Sequence, residues 1–491
     1  MGTNAITFAW IPWSYIMSSI RLRFTAALLG VLISVPGAAA QDATKLPSFL
    51  TSHMVLQRDV SNRIWGWDKP GTVVTVSVGP DSRQAAAAAD GAWSVQLPPM
   101  RAGGPIEINI QGTTSIKLED VLIGDVWMCS GQSNMEWSVA QSANAQEEIA
   151  AGNQPRIRHC KFQHVPSDKP QSDVATGGWK VASPETIGEF TAVGYYFAKN
   201  LQAEIDVPIG LIGCNWGGTR IEPWTPPIGF QQVPALKEIA DKLEQFPTKN
   251  EKGEINVGSP MAIYNGMVHP LLPATIKGVI WYQGESNVGE GMLYHEKMKA
   301  LIGGWRTVWN NPDLPFYYVQ LAPFRYGDPN GLPELWEAQT ASLSIPSSGM
   351  AVTTDIGNVA DIHPANKQDV GRRLALWALV QTYGRTQFVS SGPLFASAAV
   401  DGSRIRIRFH YAGAGLQTRD GQAPTGFEIA GADGAFVPAD AAIEADSIVV
   451  SSASIAAPAK VRFAWNQEAN PNLMNPAGLP AVPFRWPPPT K

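Results

Sequence analysis

The sequence predicts an α/β protein, a parallel sheet covered by helices on both faces and flanked on each side by a β-rich region. Three observations predict it. Between about residues 121 and 387, short apolar runs of strand length alternate with helical periods, the pattern of strand–helix–strand crossovers. Before and after this stretch, the chain reads as short β-branched runs broken by Gly and Pro turns. A chain of 491 residues, 44% apolar and 16% charged, is long enough for about three domains and apolar enough for a large core.

In chain order, the N-terminus reads as an export signal. Arg21 and Arg23 form a basic start, Phe24 to Val35 an apolar stretch, and Ala38-Ala39-Ala40 a small-residue cleavage site. Cleavage is expected near Ala40, giving a periplasmic or secreted protein. Met17 marks residues 1–16 as an upstream extension of the signal peptide, which spans 1–40. The apolar stretch is too short for a membrane span, and no other run approaches the ~20 residues required. Residues 41–120 are expected to form an N-terminal β-sandwich domain, with strands at Ser61 to Trp67, Val73 to Val78, Trp93 to Leu97 and Ile106 to Ile110.

Residues 121–387 are expected to form the catalytic α/β domain. Its strands are Val121 to Met128, Ile209 to Cys214, Val279 to Tyr282, Phe316 to Leu321 and Met350 to Thr354. Helical spacing joins Val193, Phe197 and Leu201, then Met298, Leu301 and Trp305, then Val370, Leu374 and Trp377. Pro-rich stretches at 223–234 and 323–333 read as long loops walling a pocket. Residues 388–491 are expected to be a C-terminal β-domain and tail, with Ile405 to Phe409 in strict alternation and further strands at Ile448 to Val450 and Val461 to Trp465.

Composition narrows the partners. Net charge is −5 and no basic patch stands out, which argues against nucleic acid. The 17 Trp are many for this length, and some are expected to line surfaces that stack on sugar rings. Cys129, Cys160 and Cys214 are too few for a disulfide framework; an oxidising compartment would allow one bridge, and buried free thiols are the favoured reading. No C-x-x-C or H-E-x-x-H occurs, so neither a metal nor an organic cofactor is called for.

Four segments carry chemistry, and each follows a predicted strand, where ligand sites of open α/β sheets gather. Gly131-Gln132-Ser133-Asn134 presents a hydroxyl just past a buried strand. A serine alone is a weak nucleophile and needs a base. Asp361-Ile362-His363-Pro364 supplies one, because residues two apart in extended backbone point the same way and Asp361 can orient His363. Asn215-Trp216-Gly217-Gly218-Thr219 offers glycine amides that can stabilise an oxyanion. Trp281-Tyr282-Gln283-Gly284-Glu285-Ser286-Asn287 places polar side chains at the end of an apolar strand.

These four segments resemble the conserved blocks of SGNH/GDSL-type hydrolases, and most closely the sialate O-acetylesterase-like branch of carbohydrate acetylesterases. The resemblance spans nearly the whole mature chain. Met54-Val55-Leu56-Gln57 and Ile64-Trp65-Gly66 resemble that branch's N-terminal β-domain, and Pro483-Phe484-Arg485 its C-terminal end. It implies an SGNH-hydrolase core, flavodoxin-like and three-layered, flanked by the two β-domains. It implies Ser133 as nucleophile, His363 as general base and Asp361 as the acid. SGNH enzymes at large carry Asp three residues before His, where this chain has Ala360; Asp361 matches the branch's own spacing, with Glu285 as the alternative acid. The implied oxyanion donors are the amides of Ser133 and of Gly217 or Gly218, together with the Gln283 side chain. Gln132, Asn134, Arg220, Glu285 and Asn287 are the candidate substrate-binding residues.

The function expected from this is removal of O-acetyl groups from an acetylated oligosaccharide or polysaccharide through an acetyl-enzyme. Acetylated hemicellulose, xyloglucan or xylan, is slightly favoured by the acidic chain and its many Trp. The alternatives are a sialate O-acetylesterase, a general carboxylesterase, and a carbohydrate-binding protein without catalysis. Arg220 could clamp a sialate carboxylate in bidentate fashion, or pair internally with Glu222.

Overall fold

One long strand organises the molecule. In a computed structural model that describes residues 43–488, β1 (Ser115–Gly131) runs for 17 residues. Its first part alternates in burial and pairs antiparallel with Gly103–Gln111 of the N-terminal β region. From Val121 onward every residue is buried. A strand buried on both faces requires a nearly unbroken apolar run, which this half supplies. Asp125 and Ser130 are the polar exceptions, and Asp125 accepts hydrogen bonds from Gln57, Arg58 and Tyr383. The expected export signal over 1–40 lies outside the described residues.

The second half of β1 is the centre of the main sheet. The other strands are β2 (Gln154–Phe162), β3 (Thr176–Ala182), β4 (Ile209–Asn215), β5 (Gly278–Tyr282), β6 (Phe316–Val319) and β7 (Ser348–Ala351). Their spatial order is β7-β6-β5-β1-β4-β2-β3, parallel throughout except for antiparallel β3 at the edge. Without the β2–β3 pair, the order β4-β1-β5-β6-β7 is that of a doubly wound sheet, whose switch point lies between β1 and β5. The added pair was not legible in the sequence. Arg156, Arg158, His159 and Lys161 interrupt any apolar period in β2, and Arg158 is accommodated by an ion pair with Asp120.

Helices cover both faces: α1 (Ser133–Glu136), α2 (Ala192–Ile205), α3 (Leu293–Val308), α4 (Gly331–Ala341) and α5 (Lys367–Trp377). On one face, Trp127 of β1 meets Phe197 of α2 edge-on at 4.9 Å. On the other, Trp281 of β5 meets Trp305 of α3 at 6.1 Å. The two stretches expected as loops carry helix: Pro227–Gln232 lies within one, and α4 begins at the end of the other. Proline is tolerated in a first helical turn, so neither stretch had to remain irregular.

After the main sheet, two four-stranded antiparallel sheets enclose a separate core containing Ile405, Ile407, Phe427, Ile429, Ile448 and Phe463. Arg485 from this region pairs with Glu337 of α4 at 2.6 Å. Cys129, Cys160 and Cys214 are buried and free. Among the described residues no helix is long and apolar enough to cross a membrane.

Candidate active site

The site lies at the carboxyl ends of β1, β4 and β5. β1 ends at Gly131, where φ is +131° and an added Cβ would stand 2.1 Å from the Tyr282 carbonyl of β5. Only glycine permits that approach. The chain then turns, the Gln132 amide donates to Tyr282 O at 2.9 Å, and Ser133 opens α1.

Ser133 Oγ lies 2.8 Å from His363 Nε2. The imidazole rests flat on Trp137, with ring centres 4.6 Å apart and planes 14° from parallel. Its Nδ1 faces Asp361 Oδ1 at 3.8 Å, and the same oxygen accepts the His363 backbone N–H at 2.9 Å. Asp361 thus shapes its own turn and leans towards the ring. Burial and the charge of Lys367 hold the His363 pKa below its ordinary value, while Asp361 opposes them. Glu285, the other candidate acid, makes its contact elsewhere: its Oε1 accepts from Asn134 Nδ2 at 2.6 Å. The pair faces a cavity of about 770 Å³ that also includes Glu136, Trp137, Lys161 and Glu189 in its walls.

Beneath the pair lies a polar floor. Asn134 donates to Glu285 and to Ile362 O (2.9 Å) and accepts from Lys367 Nζ. Lys367 also donates to Pro364 O at 2.8 Å. Burial pushes the Lys367 ammonium down to about 7 and the Glu285 carboxyl up. One Asn134 amide therefore ties the serine turn, the β5 turn and the histidine loop together.

Several expected substrate contacts belong to this framework instead. Gln132, Asn134 and Asn287 are 3%, 1% and 0% exposed, and their side chains bond inward. Gln283 was expected to donate to an oxyanion, but its amide hydrogens go to Thr219 O (3.1 Å) and Asn287 Oδ1 (2.8 Å). Arg220 is likewise engaged, by Glu290, by Glu222 and by Ser286 O at 3.0 Å. Lys297 completes that cluster, 2.7 Å from both Glu222 and Glu290.

The Gly-Gly turn is where the sequence placed it. A Cβ on Gly217 would lie 3.2 Å from Ser133 Cβ. The Gly217 amide donates to Glu136 Oε2 at 2.9 Å. Burial alone would raise the Glu136 pKa, but His164, this amide and Lys161 outweigh it and bring it down to about 2. Sequence reasoning missed Glu136, Trp137, Lys161, His164 and Lys367. The first two and Lys367 stand inside the serine and histidine segments and could have been considered; Lys161 sits on the unrecognised β2. Among the described residues no group of three or more His, Cys, Asp or Glu is gathered as a metal site.

A serine and a histidine joined at the switch point of a doubly wound sheet have the arrangement of a serine-type hydrolase. A family model described as carbohydrate esterase, sialic acid-specific acetylesterase, matches residues 123–379. Sialate O-acetylesterase of Homo sapiens is 31% identical over 392 residues, covering 71% of this chain and 73% of the relative. That of Rattus norvegicus is 30% identical over 431 residues, covering 76% and 80%. The crystal structure of a carbohydrate acetylesterase from Xanthomonas citri superposes with a TM-score of 0.83 at 41% identity, over 90% of this chain and 99% of that one. The chain belongs to this carbohydrate esterase family and is a carboxylic ester hydrolase.

Proposed function

We propose that the protein is an SGNH-type serine esterase that removes O-acetyl groups from glycans, with acetylated hemicellulose as its substrate. The observation that carries the mechanism is the 2.8 Å contact between Ser133 Oγ and His363 Nε2. With Nδ1–H turned to Asp361, Nε2 takes the serine proton as Oγ attacks the acetyl carbonyl. The oxyanion is received by the Ser133 amide and by an amide of the Gly217-Gly218 turn, which lies against Ser133. His363 then protonates the departing sugar hydroxyl. Water, activated by the same ring, releases acetate from the acetyl-enzyme.

Every group in this scheme falls within 121–387, which supports reading that segment as the catalytic domain between β-domains at 41–120 and 388–491. The basic start, apolar stretch and small-residue site over residues 21–40 support a periplasmic or secreted protein. Two features favour a neutral glycan. Arg220, the candidate clamp for a sialate carboxylate, is engaged by Glu222 and Glu290. Lys161, the cation in the wall of the Ser133 cavity, lies beside the Glu136 carboxylate, so the cavity gives an anionic sugar no net attraction. The second reading, a sialate O-acetylesterase, is supported as well by the family match and the mammalian relatives.

The test is acetate release from acetylated xyloglucan or xylan oligosaccharides and from 9-O-acetylated sialic acid, with Ser133→Ala as the blank. Release from the plant glycans alone supports the first reading and release from the sialate alone the second. Release from neither, or undiminished release by Ser133→Ala, overturns the mechanism.

A further inference from the structure

The catalytic cavity continues beyond Ser133. A second cavity of about 370 Å³ opens over the β2–β3 pair and shares Glu136, Lys161 and Glu189 with the first. Each is of a size that holds a small ligand. The second cavity is walled largely by the strand pair that extends the doubly wound core, so the extension has a surface of its own beside the reacting serine.

Its lining is charged but balanced. Lys180 lies 2.5 Å from Glu189, Lys161 lies 3.4 Å from Glu136, and His164 Nε2 lies 3.2 Å from Glu136. The His164 ring lies flat on Trp216, at 4.5 Å and 5°. Buried Phe162 and Phe190 close the apolar side. Donors and acceptors of both signs suit the hydroxyls of an uncharged sugar, with Phe162 and Phe190, 1% and 0% exposed, packed behind them. With each cation beside a carboxylate, the lining offers an anion no advantage. Gly177 in its wall is open: an added Cβ would meet nothing within 4 Å.

We propose that this second cavity is a subsite for a neutral sugar residue linked to the acetylated one, so that the preferred substrate is an oligosaccharide of two or more rings rather than a single sugar. This rests on the acetylesterase reading above. Binding energy from the second ring positions the acetyl ester over Ser133, so losing that ring lowers kcat/KM.

The experiment measures kcat/KM of the wild-type protein on mono-acetylated xylose, xylobiose and xylotriose and on p-nitrophenyl acetate, and repeats it with Gly177→Trp and Gly177→Ala. Gly177→Trp fills the second cavity and leaves the groups around Ser133 in place. The wild type is expected to prefer xylobiose and xylotriose over xylose by about tenfold or more, equivalent to ~1.4 kcal/mol. Gly177→Trp is expected to erase that preference while p-nitrophenyl acetate turnover stays unchanged, and Gly177→Ala to behave as wild type. Equal wild-type kcat/KM on xylose and xylotriose would overturn the subsite alone, without reference to any variant. So would a Gly177→Trp protein, folded by circular dichroism, that keeps the chain-length preference. No acetate from any substrate would overturn the esterase reading and the subsite with it.

Discussion

Ser133 and Asn134 are neighbours in the chain with opposite surroundings. Ser133 faces a cavity of about 770 Å³, while Asn134 is 1% exposed and bonds to Glu285, Ile362 and Lys367. The same division recurs in the histidine segment, where Asp361 is half exposed and Lys367 is buried. The edge that carries Ser133 and His363 therefore remains accessible, and its geometry is fixed from below by buried hydrogen bonds. Such a floor keeps Oγ and Nε2 in register when a ligand displaces the water above them.

The comparison can be tested from the edge inward. Ser133→Ala should lower kcat on an acetyl ester by about 10⁶-fold, measured as acetate release, with the melting temperature unchanged. Lys367→Met tests the floor. It is expected to cost about 100-fold in kcat through a displaced histidine loop, and about 3 kcal/mol of stability, read by denaturant unfolding. Lys367 lowers the His363 pKa, so removing its charge should move the acid limb of the kcat/KM profile to higher pH. An unmoved limb would reduce Lys367 to packing alone.

Asp361→Asn is expected to cost about tenfold, well below the loss from a fully buried triad aspartate, because this carboxylate is half exposed and 3.8 Å from Nδ1. Asp361 raises the His363 pKa, so its loss should move the acid limb to lower pH, opposite to Lys367→Met. Glu285→Gln should leave the limb in place; a downward shift there would make Glu285 the orienting acid. The smallest effect belongs to Arg220→Ala. With Lys297 still holding Glu222 and Glu290, it should change stability by about 1 kcal/mol or less. Its KM for a sialate ester should stay within about threefold; a tenfold rise would place Arg220 on the substrate.

The Ser133–His363 contact was legible because both residues stand in segments that follow predicted strands, and the strand before Ser133 could be read from its buried apolar run. Direction was not legible. Gln132, Asn134, Gln283, Asn287 and Arg220 are polar residues at strand ends, and nothing in their identity says whether each faces the cavity or the floor. That choice was made by tertiary partners such as Lys367, Glu290 and Thr219, which are distant in sequence. The β2–β3 pair escaped because its charges are matched by residues that no local period reveals, among them Asp120 for Arg158 and Glu189 for Lys180.

β1 continues from the N-terminal β region into the centre of the main sheet through a bulge at Asp120, whose φ is +53°, and its ladder to Gly103–Gln111 resumes beyond the bulge at Val121 and Ile123. Residue 120 is thus a border of composition but not of cooperativity. A cut there would leave one fragment with a half-strand lacking its continuation and the other with a central strand lacking its anchor. The N-terminal β region and the main-sheet core are expected to melt in one transition, and tension applied at Ser115 would reach the Ser133 turn through backbone alone.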